Sequence, residues 1–209
     1  IIIFNMNPGK DTEGWNQIMS LPRRLTLTGK NDLAIEPAGD IESLRYDHQH
    51  IDTMALPANQ EIVLDGVSGN SMELIAEIEP TDAPTAGMVE LNVFRSPDKE
   101  ESTRIVFFRN RGFRDRDTGG NRHYSMITID SSYSSTLSDA RCRPPETAPV
   151  LIEPDELLKL RVFVDRSVVE VFVNGKQCVS MRVYPGRDDS TGVSLRAQGQ
   201  DMTLKSLDA

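Results

Sequence analysis

The chain has 209 residues, 38% of them hydrophobic, enough for one large β domain or for one domain plus a fragment of a second. No apolar run approaches the roughly 18–20 residues that a membrane-spanning helix needs. A formal net charge of −9 argues against nucleic acid and anionic membranes, which call for clustered Lys and Arg, and is compatible with a neutral substrate such as a sugar.

Short runs rich in Val, Ile, Phe and Thr, bounded by Gly, Pro, Asn or Asp, give a dominant β signal. The first lies near 1–6; its Ile1-Ile2-Ile3-Phe4 opening has no charged leader and reads as a strand, not a signal peptide. Residues 7–32 are rich in Gly, Asn and Pro, hold the only Trp (Trp15), and contain a further run at 24–28. The stretch 38–47 (AGDIESLRYD) predicts a short helix with Ile41 and Leu44 on one side, within a polar, weakly periodic region. Runs then recur at 60–66, 71–79, 87–95, 102–109, 123–131, 158–165, 168–174, 178–184, 192–198 and 201–207, with long loops expected at 110–122 and 139–156. This spacing predicts an all-β fold, two antiparallel sheets packed as a β-sandwich from about residue 50. Because both ends carry strand patterns, the chain is expected to be a piece of a longer protein.

The most regular stretch is 157–185. Alternation places Val162 and Val164 on one face and Arg161, Phe163 and Asp165 on the other. Asp165-Arg166-Ser167 reverses the chain; Val169, Val171 and Val173 then share a face opposite Glu170 and Phe172. Asn174-Gly175 signals a type I′ turn, whose two central residues need positive φ. With the run from Cys178 to Tyr184, this makes a three-stranded meander.

Five features invite a chemical reading. Asp165 and Glu170, five apart across a turn, could approach the roughly 5–5.5 Å carboxyl separation of a retaining glycosidase. No polar cluster surrounds them, so Asp165 is expected to cap the turn and Glu170 to pair with an arginine such as Arg161 or Arg182. His48-x-His50 would point both rings one way on a strand, a metal-binding geometry, with Asp47 and Asp52 near. With no further ligand signature, and His123 remote in sequence, this segment reads as a solvated connector. The loop Arg109 to Arg122 holds five Arg, two Asp and one Phe, able to grip a carboxylate or phosphate, but more simply a solvated loop with internal Arg–Asp pairs. Asn5-Met6-Asn7-Pro8-Gly9 lacks a carboxylate and reads as a turn after a strand. Cys142 and Cys178 lack the Cys/His spacing of a zinc site, and leave pairing and redox compartment open. The chain holds no Gly-x-Ser-x-Gly, P-loop or Rossmann fingerprint.

Trp15-Asn16-Gln17-Ile18-Met19-Ser20-Leu21-Pro22-Arg23-Arg24-Leu25 resembles the join between the two domains of glycoside hydrolase family 32, the invertase, inulinase and levanase group. Leu33, Pro37, Glu42, Leu44 and Arg45 follow the order of the family's connector. The stretch from Leu160 to Gly175 (LRVFVDRSVVEVFVNG) is similar to its C-terminal hairpin, and Arg182-Val183-Tyr184-Pro185 to the motif after it. Two departures bear on substrate preference. Asp130-Ser131-Ser132-Tyr133-Ser134-Ser135 lacks the Arg and Gly of the family's Asp-Arg-x-x-Ser-Gly, and Arg24 replaces the usual Glu. The resemblance implies a five-bladed propeller that carries catalysis, followed by a β-sandwich of the concanavalin A-like jelly-roll kind. Residues 1–30 would be the last propeller strands, 31–49 the connector and 50–209 the sandwich. The family's Asn-Asp-Pro, Arg-Asp-Pro and Glu-Cys motifs belong to the propeller, and none occurs here. No catalytic, cofactor-binding or metal-ligating residue is therefore assigned, and no cofactor is expected. The reading is a non-catalytic accessory sandwich of a fructan- or sucrose-cleaving hydrolase that retains configuration through a covalent fructosyl-enzyme. The expected partners are the propeller of the same protein, a fructan or sucrose-type carbohydrate, and a second copy in a homodimer. A secreted or periplasmic location is favoured over a cytoplasmic one. The rival readings are a stand-alone carbohydrate-binding module, using Tyr124 and Tyr133 as stacking rings, and a purely structural or oligomerising sandwich.

Overall fold

The structure, a computed structural model, describes residues 1–15, 17–29, 32–79, 87–116 and 122–209. Two antiparallel sheets face each other. One runs Glu146–Val150, Ser125–Asp130, Thr103–Phe108, Met88–Arg95, Gly192–Gln198, Glu61–Ser68 from edge to edge. The other runs Gln177–Arg182, Val168–Val173, Leu158–Asp165, Ser71–Ile78, Met202–Asp208, His50–Ile51, with Met54–Leu56 also paired to Met202–Asp208. Between them lies one aliphatic core, built from alternate residues such as Leu74, Ala76, Leu160, Val162, Val171, Leu91, Ile105, Ile127 and Leu195. The period of two sends every second side chain inward, and the β-branched chains suit the pleat. Registers agree with the pattern: Val162 sits opposite Leu74 on one side and Val171 on the other.

The meander forms as its sequence predicts. Asn174 and Gly175 both take positive φ, 51° and 62°, and the Lys176 N–H donates to the Val173 carbonyl at 2.9 Å. Arg166 supplies positive φ, 51°, in the other reversal. The strand Val168–Val173 is buried on both faces, so something covers the outside of this sheet.

That cover is the leading segment. Asn5–Met6 pairs with Ile18–Met19, and Arg23–Leu27 forms a hairpin with Leu33–Pro37. The hairpin is fastened to the meander where Ile35 N–H donates to the Gly175 carbonyl at 2.7 Å.

Three expectations need correction. The helix over 38–47 reduces to one 3₁₀ turn, Glu42–Leu44, with Leu44 exposed. Of its two apolar residues only Ile41 is partly buried, while Arg45 beyond the turn is drawn into a bidentate pair with Glu73. The loop over 139–156 contains the strand Glu146–Val150. Pro149 made that segment read as loop, but it is an edge strand, where a missing N–H is tolerated. The loop 110–122 contains a short ladder of Arg114–Asp115 with Arg122–His123. Its centre, 117–121, and Asn16 of the Trp15 stretch lie outside the described residues.

Candidate functional site

The seam between the leading segment and the sandwich gathers the least ordinary chemistry. Glu170 is 1% exposed, in a strand otherwise made of Val and Phe. A carboxylate there must be fully partnered to be tolerated. Its Oε1 accepts the Leu21 N–H at 2.6 Å. Its Oε2 accepts from Arg23 Nη2 at 2.7 Å and from Ser180 Oγ at 3.1 Å. Arg23 is buried too, also donates to Ser180 Oγ, and lies 4.9 Å from the centre of the Phe4 ring and 5.6 Å from that of Phe172. The backbone of Arg23 exchanges two hydrogen bonds of 2.9 Å with Ile2.

A second arginine repeats the arrangement without an acid. Arg182 donates to the Ser167 carbonyl and hydroxyl at 3.2 and 3.0 Å, with its guanidinium over Trp15 and Tyr184. The Tyr184 hydroxyl accepts the Gly9 N–H at 3.0 Å. A Cβ on Gly9 would fall 2.8 Å from the Tyr184 ring, so only glycine fits this approach. Between these groups lies a cavity of about 340 Å³ whose lining includes Phe4, Asn5, Asn7, Arg143 and Cys178. Burial pushes the Cys178 thiol up to about 12, with Arg23 only partly opposing it, so it stays protonated at neutral pH. Cys178 and the exposed Cys142 are both free thiols.

The residues singled out in the sequence fall in separate places. Asp165 is exposed and accepts from Ser71 Oγ at 3.0 Å, while Glu170 is enclosed in the seam. Glu170 does pair with an arginine, but it is Arg23 and neither Arg161 nor Arg182. Arg161 is taken up by Glu73 and Glu42, and Arg182 by Ser167. Asn5-Met6-Asn7-Pro8-Gly9 is a short strand, Asn5–Met6, followed by irregular backbone that bends at Gly9, its Asn7 and Pro8 carbonyls facing Arg143. Arg109 is not solvated. It donates to the Glu153 and Pro154 carbonyls at 2.9 and 2.6 Å, and burial lowers its pKa. Arg122 likewise reaches out of its loop to Glu153 at 3.0 Å. Tyr124 stacks on Phe113 at 4.6 Å, whereas Tyr133 is exposed.

His48 and His50 do share a face. Nε2 of His48 and Nδ1 of His50 lie 2.9 and 2.7 Å from one oxygen of Asp208, which the sequence reading missed because it is 160 and 158 residues away. The hydrogen bond to Asp208 raises the pKa of His50, and the two imidazoles lower that of Asp208. His123 stands apart, against the Gly112 carbonyl.

Two further groups had no usable signal. Arg23 is one arginine among many until the fold brings it to Glu170; the hint was the lone acid in an apolar strand, which demands a cation without saying which. Glu101, fully buried, accepts from the Thr136, Gly186 and Arg187 backbone N–H groups and from the Thr136 and Ser190 hydroxyls. Burial alone would raise its pKa; these donors lower it.

A two-sheet antiparallel sandwich clasped on its outer face by a preceding segment defines the class of molecule. Residues 40–209 match the family described as "Glycosyl hydrolases family 32 C terminal", and the chain belongs to that family. It is 29% identical over 202 residues to the levanase of Bacillus subtilis (strain 168), covering 94% of this chain and 27% of that protein. It is 28% identical over 203 residues to beta-fructofuranosidase 1 of Zea mays, covering 84% of this chain and 29% of that protein. Among solved structures it is similar in fold to fructan 1-exohydrolase IIa from Cichorium intybus, with a TM-score of 0.82 at 20% identity, covering 99% of this chain and 44% of that one. The chain thus spans under a third of the length of these two curated relatives.

Proposed function

We propose that this chain is the non-catalytic C-terminal sandwich of a fructan- or sucrose-cleaving hydrolase, and that it clasps the flank of a catalytic propeller in the same protein. Residues 1–30 are then the last propeller strands, 31–49 the connector and 50–209 the sandwich. The carrying observation is the buried Arg23–Glu170 pair, which joins the leading segment to the family's hairpin across 147 residues. The leading segment also exposes Ile1, Ile3, Phe4, Trp15, Met19 and Leu27, an apolar surface of the kind that a missing neighbour would cover. Glu170 has no free oxygen to offer a substrate, and Asp165 is not joined to it by any shared hydrogen bond. Their work on this reading is structural.

The test is hydrolysis of sucrose, inulin and levan by the 209-residue chain, beside the longer protein that carries it. Sugar release by the longer protein only is expected. Release by this chain alone would overturn the reading.

A further inference from the structure

We propose that His48, His50 and Asp208 form a binding site for a divalent cation of the zinc, nickel, cobalt and copper class. This goes beyond the accessory role above and does not depend on it. Among the described residues, one group of three His, Cys, Asp or Glu side chains brings ligand atoms within 4.8 Å of one another, and it is this one.

The sheet dictates the convergence. His50 and Asp208 are directly paired across neighbouring strands, so their side chains leave on the same face. His48 lies two residues before His50 and points the same way. Gln49, between them, exchanges backbone hydrogen bonds of 2.8 and 2.9 Å with Ala209, which fixes the segment that bears both rings. His50 and Asp208 therefore sit on paired backbone, with His48 next to the Gln49–Ala209 pair, the kind of arrangement that holds a metal site in shape.

The spacing suits coordination. Two ligands each about 2.1 Å from a zinc-sized ion at tetrahedral or octahedral angles stand roughly 3.0–3.4 Å apart. The two imidazole nitrogens lie 2.9 and 2.7 Å from the Asp208 oxygen and all three donor atoms lie within 4.8 Å of one another, so an ion needs a small outward movement of the carboxylate and adjustment of the two exposed rings around it. With Nδ1 of His50 aimed at the site, its Nε2 faces Asp52 Oδ1 at 3.5 Å. A carboxylate behind a ligating imidazole fixes its tautomer and strengthens it as a donor. Arg45, the cation near Asp208, is held in a bidentate pair with Glu73 at 2.7 and 3.0 Å. Two imidazoles select first-row transition metals and zinc over calcium and magnesium, which take oxygen ligands. Three protein ligands leave the remaining positions to water. Because His48 lies in the connector, His50 opens the edge strand and Asp208 ends the last strand, an ion there pins the connector to the sheet edge.

The test uses the untagged 209-residue chain, stripped with chelator, in a Cys142→Ser background so that the exposed thiol does not compete. Titration calorimetry with Zn²⁺ and Ni²⁺ should give one saturable site per chain and a rise in melting temperature. Electron paramagnetic resonance of the Cu²⁺ form should show two nitrogen ligands. His50→Asn should weaken binding by roughly tenfold or more, and Asp52→Asn, which alters an exposed carboxylate 3.5 Å from Nε2, by clearly less. His123→Asn should change nothing. Circular dichroism of the metal-free variants checks that they fold. Absence of saturable binding, or binding that survives His48→Asn/His50→Asn unchanged in a folded protein, would overturn the proposal.

Discussion

The core between the sheets is apolar, while the seam outside them buries charged groups beneath half-exposed rings, and the two are built by opposite means. The core is apolar side chains, mostly aliphatic with Phe94 and Phe107 among them, meeting by alternation, and none of them needs a particular polar partner. The seam is a carboxylate, two guanidinium groups and aromatic rings, each of which is tolerable only with its partner in place. Hydrophobic burial is non-directional and forgiving; buried charge is directional and costly when unpaired. A sandwich held by the first and docked to its leading segment by the second can keep its fold while the docking specifies one geometry.

The largest effect should come from the core. Leu160→Ala removes a fully buried side chain and should cost about 3–5 kcal/mol of global stability by urea unfolding, with every probe reporting the same loss. Glu170→Ala should cost about 3 kcal/mol, because it leaves Arg23 buried and uncompensated, but the loss should concentrate in the seam. Hydrogen exchange at the Leu21 amide, which donates to Glu170, should rise sharply while amides of the Leu158–Asp165 strand stay protected. Replacing both partners, Arg23→Met with Glu170→Leu, should cost less than Glu170→Ala alone. Uniform destabilisation by Glu170→Ala, matching Leu160→Ala, would erase the distinction between the two regions.

Acid sharpens it further. On the outer face of the six-stranded sheet, burial alone would raise the Glu61 carboxyl, but hydrogen bonds from Arg95, Ser194 and Lys99 bring it from 4.5 down to about 2. A carboxyl held low in the folded state stabilises fully above its unfolded value and loses that contribution as pH falls through its folded value. Stability should therefore decline between about pH 4.5 and pH 2, and Glu61→Gln should make that decline shallower in a series of thermal melts. The smallest effect belongs to the exposed Arg24–Glu36 pair, 3.4 Å apart. Arg24→Ala should shift stability by less than about 0.5 kcal/mol.

What could be read from the sequence follows the same division. The strands from Glu61–Ser68 to Met202–Asp208 were nearly all legible, because a period of two over Val, Ile and Leu needs no knowledge of partners. The Asn174-Gly175 turn was legible because its backbone demands those residue types. Glu146–Val150 was hidden by Pro149, since an edge strand tolerates what a central strand forbids. The sites were legible only in half. His48 and His50 declared themselves by spacing, and Glu170 by its oddity in an apolar strand. Asp208 and Arg23, which complete them, lie 158 and 147 residues away; Asp208 carries no local mark, and Arg23, though part of the join motif, gives no sign that Glu170 is its partner.

The most direct measurement is the sequence of the reading frame upstream of Ile1. The account predicts one propeller domain of roughly 300 residues carrying Asn-Asp-Pro, Arg-Asp-Pro and Glu-Cys in that order, larger than an ordinary domain of ~150 residues. A start codon or an unrelated domain immediately upstream would contradict it, and would leave a sandwich of this family without the catalytic partner that its seam is proposed to hold.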